Sequence, residues 1–189
     1  MSSVPPKKAT YAELVALPEH LIGEILEGEL ITSPRPTAPH ATATSVLGMD
    51  IGAPFQRGRG GPGGWWIIDE PELHFADDVL VPDLAGWRKE RMPQVPNQAW
   101  FELAPDWICE VVSPSTARID RIRKMPIYAR QGVAFAWLLD PLQRTLEVYG
   151  LRDQQWVVIG SHEGNAVVRA EPFDAIELEL AALWIDAGE

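Results

Sequence analysis

One apolar segment, residues 107–112, constrains the fold of this 189-residue chain more than any other. Because successive side chains of a β-strand point to opposite faces, Ile108, Glu110 and Val112 share one face of it. The other three residues of the segment form an equally apolar opposite face. Such a strand is typical of the centre of a sheet that is covered on both sides.

Glu110 is the exception in this segment, because it places a carboxylate on a strand predicted to be buried. An unpaired charge in a protein interior costs several kcal/mol or more, so it is normally paired with a cation, bound to a metal or protonated. The sequence therefore predicts a partner for Glu110.

A second acid, Asp83, lies on another apolar segment, and we predict a single strand over residues 79–87. In such a strand Val79, Val81 and Asp83 share a face. Pro82 cannot donate a hydrogen bond to a neighbouring strand, which indicates a sheet edge or a bulge there. A bulge is a common means of re-aiming a side chain toward a site.

Two carboxylates on neighbouring strands repel each other unless a positive charge lies between them. A hard divalent cation meets this need, and Mg²⁺ often binds through one or two carboxylates plus water. The alternative is that Asp83 and Glu110 each lie at a strand end and pair with an arginine.

A helix is predicted after Glu110, capped by Ser115 or Thr116 and ending near residue 131. Asp120, Lys124 and Tyr128 follow one another at intervals of four and share one face of it. From the residues alone, a solvent-exposed Asp120–Lys124 salt bridge is the simpler interpretation.

The rest of the chain predicts one α/β (α+β) domain over residues 10–189, with a mixed β-sheet core flanked by helices, after a disordered leader over residues 1–9. A capping box at Thr10 and Glu13 begins a short helix. We further expect a hairpin over residues 24–31, a helix over 39–56 and a flexible glycine-rich surface loop over 57–64. The remaining strands are predicted at 65–68, 72–76, 106–113, 134–140, 145–149 and 155–161.

Composition narrows the function classes. The formal net charge of −11 argues against a protein that wraps nucleic acid non-specifically, since such binding depends on Lys and Arg. The single cysteine excludes an internal disulfide and a zinc site of several cysteines. Neither a signal peptide nor a membrane-spanning segment is recognisable, so we expect a cytoplasmic protein without membrane contact.

Several motifs together resemble a known family. They are Glu24-(x)3-Gly28, His40, Val81-Pro82-Asp83, the run from Glu110 to Thr116, Asp120-(x)3-Lys124-(x)3-Tyr128, Gly132-Val133 and the run from Trp137 to Pro141. In order and spacing, over about residues 10–185, they resemble the Uma2 family, a domain of unknown function. That family is placed in the PD-(D/E)xK nuclease superfamily, with the restriction-endonuclease-like fold.

The resemblance implies roles for individual residues. Asp83 and Glu110 match the two acids that hold Mg²⁺, assisted by the backbone carbonyl of Val111, and Glu24 matches an N-terminal acid that often completes the site. The lysine usually found two residues after the second acid is absent, because Val112 occupies that position. Lys124 matches a recognised variant in which this lysine has moved to the following helix.

The resemblance thus implies a Mg²⁺-dependent endonuclease acting on DNA, with Mn²⁺ as a possible substitute. Lys124 would orient the attacking water or stabilise charge on the phosphate, positioned by Asp120 and Tyr128. His40 is either a phosphate or proton-transfer residue or a helix-start residue without a role.

Two other functions remain open: a non-catalytic nuclease-like module that binds a protein or nucleic-acid partner, and a hydrolase of small phosphoesters. We also expect a homodimer, with Trp137, Val148 and Trp156 of the late strands as candidate interface residues.

Overall fold

The chain folds around two β-sheets, which the computed structural model describes within residues 7–185. In chain order the strands are β1 (Leu21–Leu26), β2 (Glu29–Pro34), β3 (Trp65–Asp69), β4 (Glu72–Phe75), β5 (Asp78–Leu80), β6 (Leu84–Arg88), β7 (Trp100–Phe101), β8 (Trp107–Val111), β9 (Phe135–Asp140), β10 (Thr145–Arg152), β11 (Gln155–Glu163), β12 (Val167–Val168) and β13 (Leu178–Glu179). The helices are α1 (Tyr11–Val15), α2 (Ala38–Ile51), α3 (Ala117–Ile119) and α4 (Met125–Arg130), with π-helical turns over Gly52–Gln56 and Asp120–Lys124 and a 3₁₀ turn over Leu180–Leu183.

The larger sheet has six strands in the order β11-β10-β9-β8-β6-β3, and the smaller has five in the order β2-β1-β5-β4-β7. Most neighbours are antiparallel, whereas β8 pairs with β9, and β4 with β7, in parallel. Strands β12 and β13 form a separate pair. This architecture confirms the predicted α+β class with a mixed sheet and few flanking helices.

Strand β8 is the centre of the larger sheet, as its sequence predicts. Trp107, Cys109 and Val111 pack into a cluster with α2 and the C-terminal segment. Ile108 and Val112 pack on the opposite face with side chains of the smaller sheet and α4. Both faces of the strand are therefore covered, and Glu110 is enclosed by the same packing.

The predicted single strand over residues 79–87 is wrong. Strand β5 belongs to the smaller sheet and β6 to the larger, so the chain crosses between the two sheets at residues 81–83. Pro82 lacks an N–H and cannot continue a ladder. The crossing places Asp83 where the two sheets meet rather than on the face of one strand.

The helix after β8 begins after Thr116 and ends at Arg130, as predicted, but it is not α-helical throughout. It begins at Ala117 and contains a π-helical turn, in which the N–H of Met125 donates to the carbonyl of Asp120. Pro126 follows directly, and its missing N–H removes the ordinary hydrogen bond to the carbonyl of Ile122. A π-turn at this point keeps Asp120 and Lys124 buried on the side of the helix that faces β8.

Other predictions can be compared directly. The capping box at Thr10 and Glu13 is confirmed, and α2 with its π-turn fills the helix predicted over residues 39–56. Residues 1–6 of the predicted leader lie outside the described residues. Within residues 7–185, none of the helices is long and apolar enough to cross a membrane.

Two of the three candidate interface residues are wrong. Trp137 and Val148 are buried in the core, and Trp156 is half-buried with its indole N–H bound to the carbonyl of Met125. Other residues of these strands are exposed instead, among them Val157 and Val158 of the edge strand β11.

Candidate active site

A cleft of about 540 Å³ opens where the two sheets, the start of α2 and the start of α3 meet. Its wall contains most of the charged residues singled out from the sequence, namely Glu24, His40, Asp83, Glu110, Asp120 and Lys124. The topology accounts for this gathering, because the crossing at residues 81–83 lies beside the end of β8. The structure thus brings the predicted residues to one place.

Asp83 is fixed by both of its carboxylate oxygens. Its Oδ2 accepts a hydrogen bond of 2.7 Å from the N–H of Val111, at the end of β8. Its Oδ1 lies 3.3 Å from Nε2 of His40, and the side chain is 16% exposed. Asp83 therefore remains accessible from the cleft while its orientation is set by the neighbouring strand.

Glu110 is almost completely buried, with a side-chain exposure of 3%. Its Oε1 accepts a 2.6 Å hydrogen bond from the hydroxyl of Tyr128 and lies 2.8 Å from Nζ of Lys124. Burial raises the pKa of Glu110 well above its ordinary value, and the Lys124 cation opposes this effect. Nearby carboxylates, including Asp83, raise the pKa further.

Lys124 is buried among oxygen atoms, so the interpretation as a solvent-exposed ion pair is wrong. Its Nζ lies 2.9 Å from Oε1 of Glu24, 2.8 Å from Oε1 of Glu110 and 3.1 Å from the carbonyl of Val81. Asp120, its expected partner, is more distant at 3.9 Å. Burial lowers the pKa of Lys124, but Glu110 and Glu24 outweigh this and raise it well above its ordinary value, so the ammonium stays charged.

Glu24 comes from β1 in the smaller sheet and completes this group. Its Oε1 accepts a 2.8 Å hydrogen bond from the N–H of Val81 in addition to the contact with Lys124. Val81 thus uses its backbone N–H and carbonyl within the site instead of in a strand ladder. The break at Pro82 makes both groups available.

Asp120 is buried beside the same lysine. Burial raises its pKa to about 6, while Lys124 and a hydrogen bond with the Thr116 side chain lower it. The carboxylates of Glu24 and Asp83 act in the raising direction. The site consequently holds more negative charge than one lysine can balance.

His40 lies in the first turn of α2 and is buried. Burial lowers its pKa, yet the hydrogen bond and charge of Asp83 and the backbone carbonyl of Val111 more than offset this, and the pKa is raised. Its Nδ1 is buried without a hydrogen-bond partner in the described residues. The imidazole therefore interacts with two of the groups predicted to hold a metal ion.

The donor set suits a hard cation. Carboxylate oxygens of Asp83 and Glu110, a backbone carbonyl and the acid Glu24 provide the oxygen ligands that Mg²⁺ prefers. No cluster of three or more His, Cys, Asp or Glu side chains is arranged as a ready metal site in residues 7–185. The spacing of the acids is set by Lys124, which lies between Glu24 and Glu110.

Some site groups were not foreseen from the sequence. The backbone of Val81 holds Glu24 and Lys124 in place, and the Thr116 side chain lowers the pKa of Asp120. The one sequence signal for Val81 is its position next to Pro82, since a proline that interrupts a ladder releases neighbouring backbone groups.

Comparison with known proteins places this geometry in context. No curated protein matches the chain. The solved structure of a "putative nuclease belonging to DUF820" from Anabaena variabilis ATCC 29413 is similar, with a TM-score of 0.73 and 26% identity, and the match covers 93% of this chain and 97% of that chain. This likeness confirms the predicted fold class.

The family model described as "Uma2: Putative restriction endonuclease" matches residues 11–182, nearly the whole chain. The match includes each of the acids that line the cleft, together with Lys124 and the strands that position them. This protein belongs to the Uma2 family.

Proposed function

We propose that this protein is a Mg²⁺-dependent endonuclease that hydrolyses phosphodiester bonds in DNA. The description of its family as a restriction endonuclease supports this reaction class, as does the nuclease description of the similar Anabaena protein. The observation that carries the proposal is the convergence of Asp83, from the crossing just before β6, and Glu110, from β8, on one cleft that also contains Lys124.

Asp83, Glu110 and the carbonyl of Val111 are the groups that would hold Mg²⁺ or Mn²⁺, with Glu24 beside them. A bound divalent cation supplies positive charge to the phosphate and lowers the pKa of a water molecule. The protein supplies orientation, since the Val111 N–H fixes Asp83 and the Tyr128 hydroxyl fixes Glu110.

Lys124 is proposed to hold the acids in position. An ammonium group has three N–H donors, and three oxygens already surround Nζ of Lys124: those of Glu24, Glu110 and the Val81 carbonyl. The charge balances part of the carboxylate repulsion in the absence of a cation. To reach a phosphate oxygen, Lys124 has to release one of these three partners.

Asp120 and Tyr128 are proposed as positioning residues. Asp120 adds negative charge 3.9 Å from the ammonium of Lys124. The Tyr128 hydroxyl binds Oε1 of Glu110, the same oxygen that Lys124 contacts. Both act through Lys124 or Glu110 rather than on a substrate.

The proposal is tested by incubating the purified protein with plasmid DNA, with Mg²⁺, with Mn²⁺ and with a chelator. We expect cleavage only with a divalent cation, and a loss of about 10³-fold or more in Asp83→Asn. Asp153→Asn, which removes an exposed acid in the turn after β10, is the matched control and should retain full activity. Absence of metal-dependent cleavage in the wild-type protein would contradict the proposal, and retained DNA binding would then favour the non-catalytic module.

A substrate panel separates this activity from hydrolysis of small phosphoesters. We expect DNA to be cleaved far faster than a nitrophenyl phosphodiester, and the reverse ranking would favour the small-molecule hydrolase. Activity on DNA also accords with the expected cytoplasmic location, which stays a prediction.

We also propose that the chain forms a homodimer, with β11 as the contact. This strand is an edge of the larger sheet, so it presents unpaired backbone groups, and Val158 beside them is 55% exposed. Light scattering coupled to gel filtration should give twice the chain mass for the wild type and the chain mass for Val158→Lys. A monomeric wild-type protein would rule this out.

A further inference from the structure

A second charged region lies at the other end of α2. The glycine-rich loop over residues 57–64 carries Arg57 and Arg59 and no acid. Beside it, Arg88 ends β6 and Lys89 follows. We refer to Arg57, Arg59, Arg88 and Lys89 as the basic platform. The local excess of positive charge contrasts with the formal net charge of −11 for the whole chain.

The glycines predict a flexible loop, but backbone hydrogen bonds hold this loop against the rest of the protein. The N–H of Arg59 donates to the carbonyl of Ala53, and the N–H of Gly63 donates to that of Pro54. The N–H of Lys89 closes the loop by donating to Gly64. At Gly61 an added Cβ would lie 2.4 Å from Cβ of Pro54, so the loop packs closely there.

None of the four platform side chains forms an ion pair with a carboxylate of the described residues. Arg88 lies over the ring of Trp65 at 4.5 Å and Lys89 over that of Trp66 at 4.3 Å, which leaves their charges uncompensated by carboxylates. Arg57 and Arg59 are exposed, and neither has an acidic partner among residues 7–185. By contrast, Arg123 of the π-turn and Arg130 of α4 both contact Glu27.

A second cavity, of about 600 Å³, lies along α2 and is lined by two of the four platform residues. Arg57 and Arg59 line it together with the hydroxyl-bearing Thr44 and Ser45, and Asp69 is the one acid in its described wall. The two cavities adjoin, because His40 lines the first and Thr44, one helical turn later, lines the second. Thr44 Oγ1 donates to the carbonyl of His40 across this boundary.

We propose that the basic platform binds the phosphate backbone of the same duplex DNA whose scissile phosphate enters the acidic cleft. The inference rests on the proposed function and adds the position of the second contact. Helix α2 has 14 residues and spans about 20 Å at 1.5 Å per residue. At 3.4 Å per base pair, the length of this helix corresponds to about six base pairs of duplex.

The surface charge explains how an acidic protein would bind DNA. Each phosphate contact made by Lys or Arg releases counterions, so four cations without carboxylate partners in one region favour binding of DNA there. Repulsion from the remaining surface would restrict the duplex to this face.

The test measures binding of a labelled duplex of about 20 base pairs by fluorescence anisotropy, in a chelator so that cleavage does not interfere, over a range of salt concentrations. Arg57→Gln/Arg59→Gln removes two positive charges from the platform. The matched control, Arg152→Glu, changes the net charge by the same amount at the end of β10, next to the far edge strand of the larger sheet.

We expect the platform variant to bind about 10–100-fold more weakly, with a salt slope smaller by about 2, since each lost phosphate contact removes about 0.9 from that slope. The control should bind within about twofold of wild type. If both variants bind DNA equally weakly, the loss of affinity comes from net charge alone. If the platform variant binds as tightly as wild type, the platform does not contact DNA. Either result overturns the inference.

Cleavage assays on the same variants distinguish this inference from the proposed function. If wild-type protein cleaves DNA and the platform variant cleaves equally well at low DNA concentration, the platform inference fails and the nuclease proposal stands. If DNA binding depends on the platform but cleavage never occurs, the nuclease proposal fails and the platform remains a DNA-binding surface.

Discussion

The two ends of helix α2 face charged regions of opposite sign and opposite exposure. At its start, the acidic cleft holds Glu110 and Lys124 with side-chain exposures of 3% and 4%. At its end, Arg57 and Arg59 project into solvent. A buried charge requires a partner, because the free-energy cost of removing it from water has to be offset by a nearby opposite charge or by hydrogen bonds. An exposed charge stays hydrated and needs no partner.

This difference predicts how each region responds to substitution. In the acidic cleft the same side chains balance buried charge, stabilise the fold and form the proposed active site. Replacing one of them should therefore change both the free energy of unfolding and the activity. On the basic platform, substitution should change DNA binding and its salt dependence while the free energy of unfolding stays nearly constant. Substitutions in the two regions test this separation.

The largest effect is expected for Lys124→Met. Removing the cation leaves Glu24 and Glu110 facing each other in a buried site, and breaking a buried pair in this way costs about 3–5 kcal/mol. Urea denaturation at neutral pH measures this loss. Adding Glu110→Gln to Lys124→Met should restore part of the stability without restoring cleavage, and a single variant as stable as wild type would show that the acids do not depend on Lys124.

A comparable effect of opposite sign is expected for Asp120→Asn. Because the folded-state pKa of Asp120 is raised from 3.8 to about 6, the folded protein gains stability from protonation below pH 4 and loses it as the pH rises through about 6. The neutral asparagine avoids the cost of the buried charge, so the variant should be more stable at pH 7.5 by about 3 kcal/mol.

For Asp120→Asn, the unfolding free energies of the variant and of the wild type are measured at several pH values from 4 to 8, and the wild-type value is subtracted at each pH. This difference should be small at the acidic end, grow through about pH 6 and then level off. Asp153→Asn, at an exposed turn, should give a flat profile. A flat profile for Asp120→Asn as well would contradict the raised pKa.

A smaller loss is expected for Gly61→Ala in the platform loop. The new Cβ would lie 2.4 Å from Cβ of Pro54, so the loop has to move, at a cost of about 1–3 kcal/mol. Gly52→Ala is the control, because no atom lies within 4 Å of its added Cβ and its backbone is helical. Thermal unfolding should separate the two variants, and equal melting temperatures would show that the loop packing contributes no stability.

The smallest effect on stability is expected for Arg57→Gln/Arg59→Gln. Both side chains are exposed and unpaired with acids in the described chain, so the unfolding free energy should change by less than about 0.5 kcal/mol. Combined with weakened DNA binding, this result would complete the contrast with Lys124→Met. A large loss of stability would instead place the two arginines among the residues that hold the fold.

The sequence predicted the main elements well where local signals are strong. Alternation along β8 identified a strand covered on both faces, and both faces are packed. The Thr10–Glu13 capping box and the hairpin at Glu27 and Gly28 depend on neighbours within a few residues, and both are present. These features follow from local geometry, which the sequence expresses directly.

Local signals failed where the chain changes partners. Residues 79–87 have the composition of one strand, but they contribute to two sheets, because which ladder a strand joins depends on segments distant in the chain. The same limit affected Trp137 and Val148, since an apolar side chain on a late strand fits either a core or an interface. Alternation fixes which residues share a face, but not which face is covered.

The sequence by itself determined that Asp83 and Glu110 are carboxylates on apolar segments and therefore require a positive partner. The tertiary structure alone decided that this partner is Lys124 for Glu110 and His40 for Asp83. It also decided that Lys124 is buried among three oxygens and not paired with Asp120 at the surface. The reason is physical: the cost of burying a charge can be read from its neighbours along a strand, whereas the group that compensates it comes from whichever distant segment the fold brings within hydrogen-bonding distance.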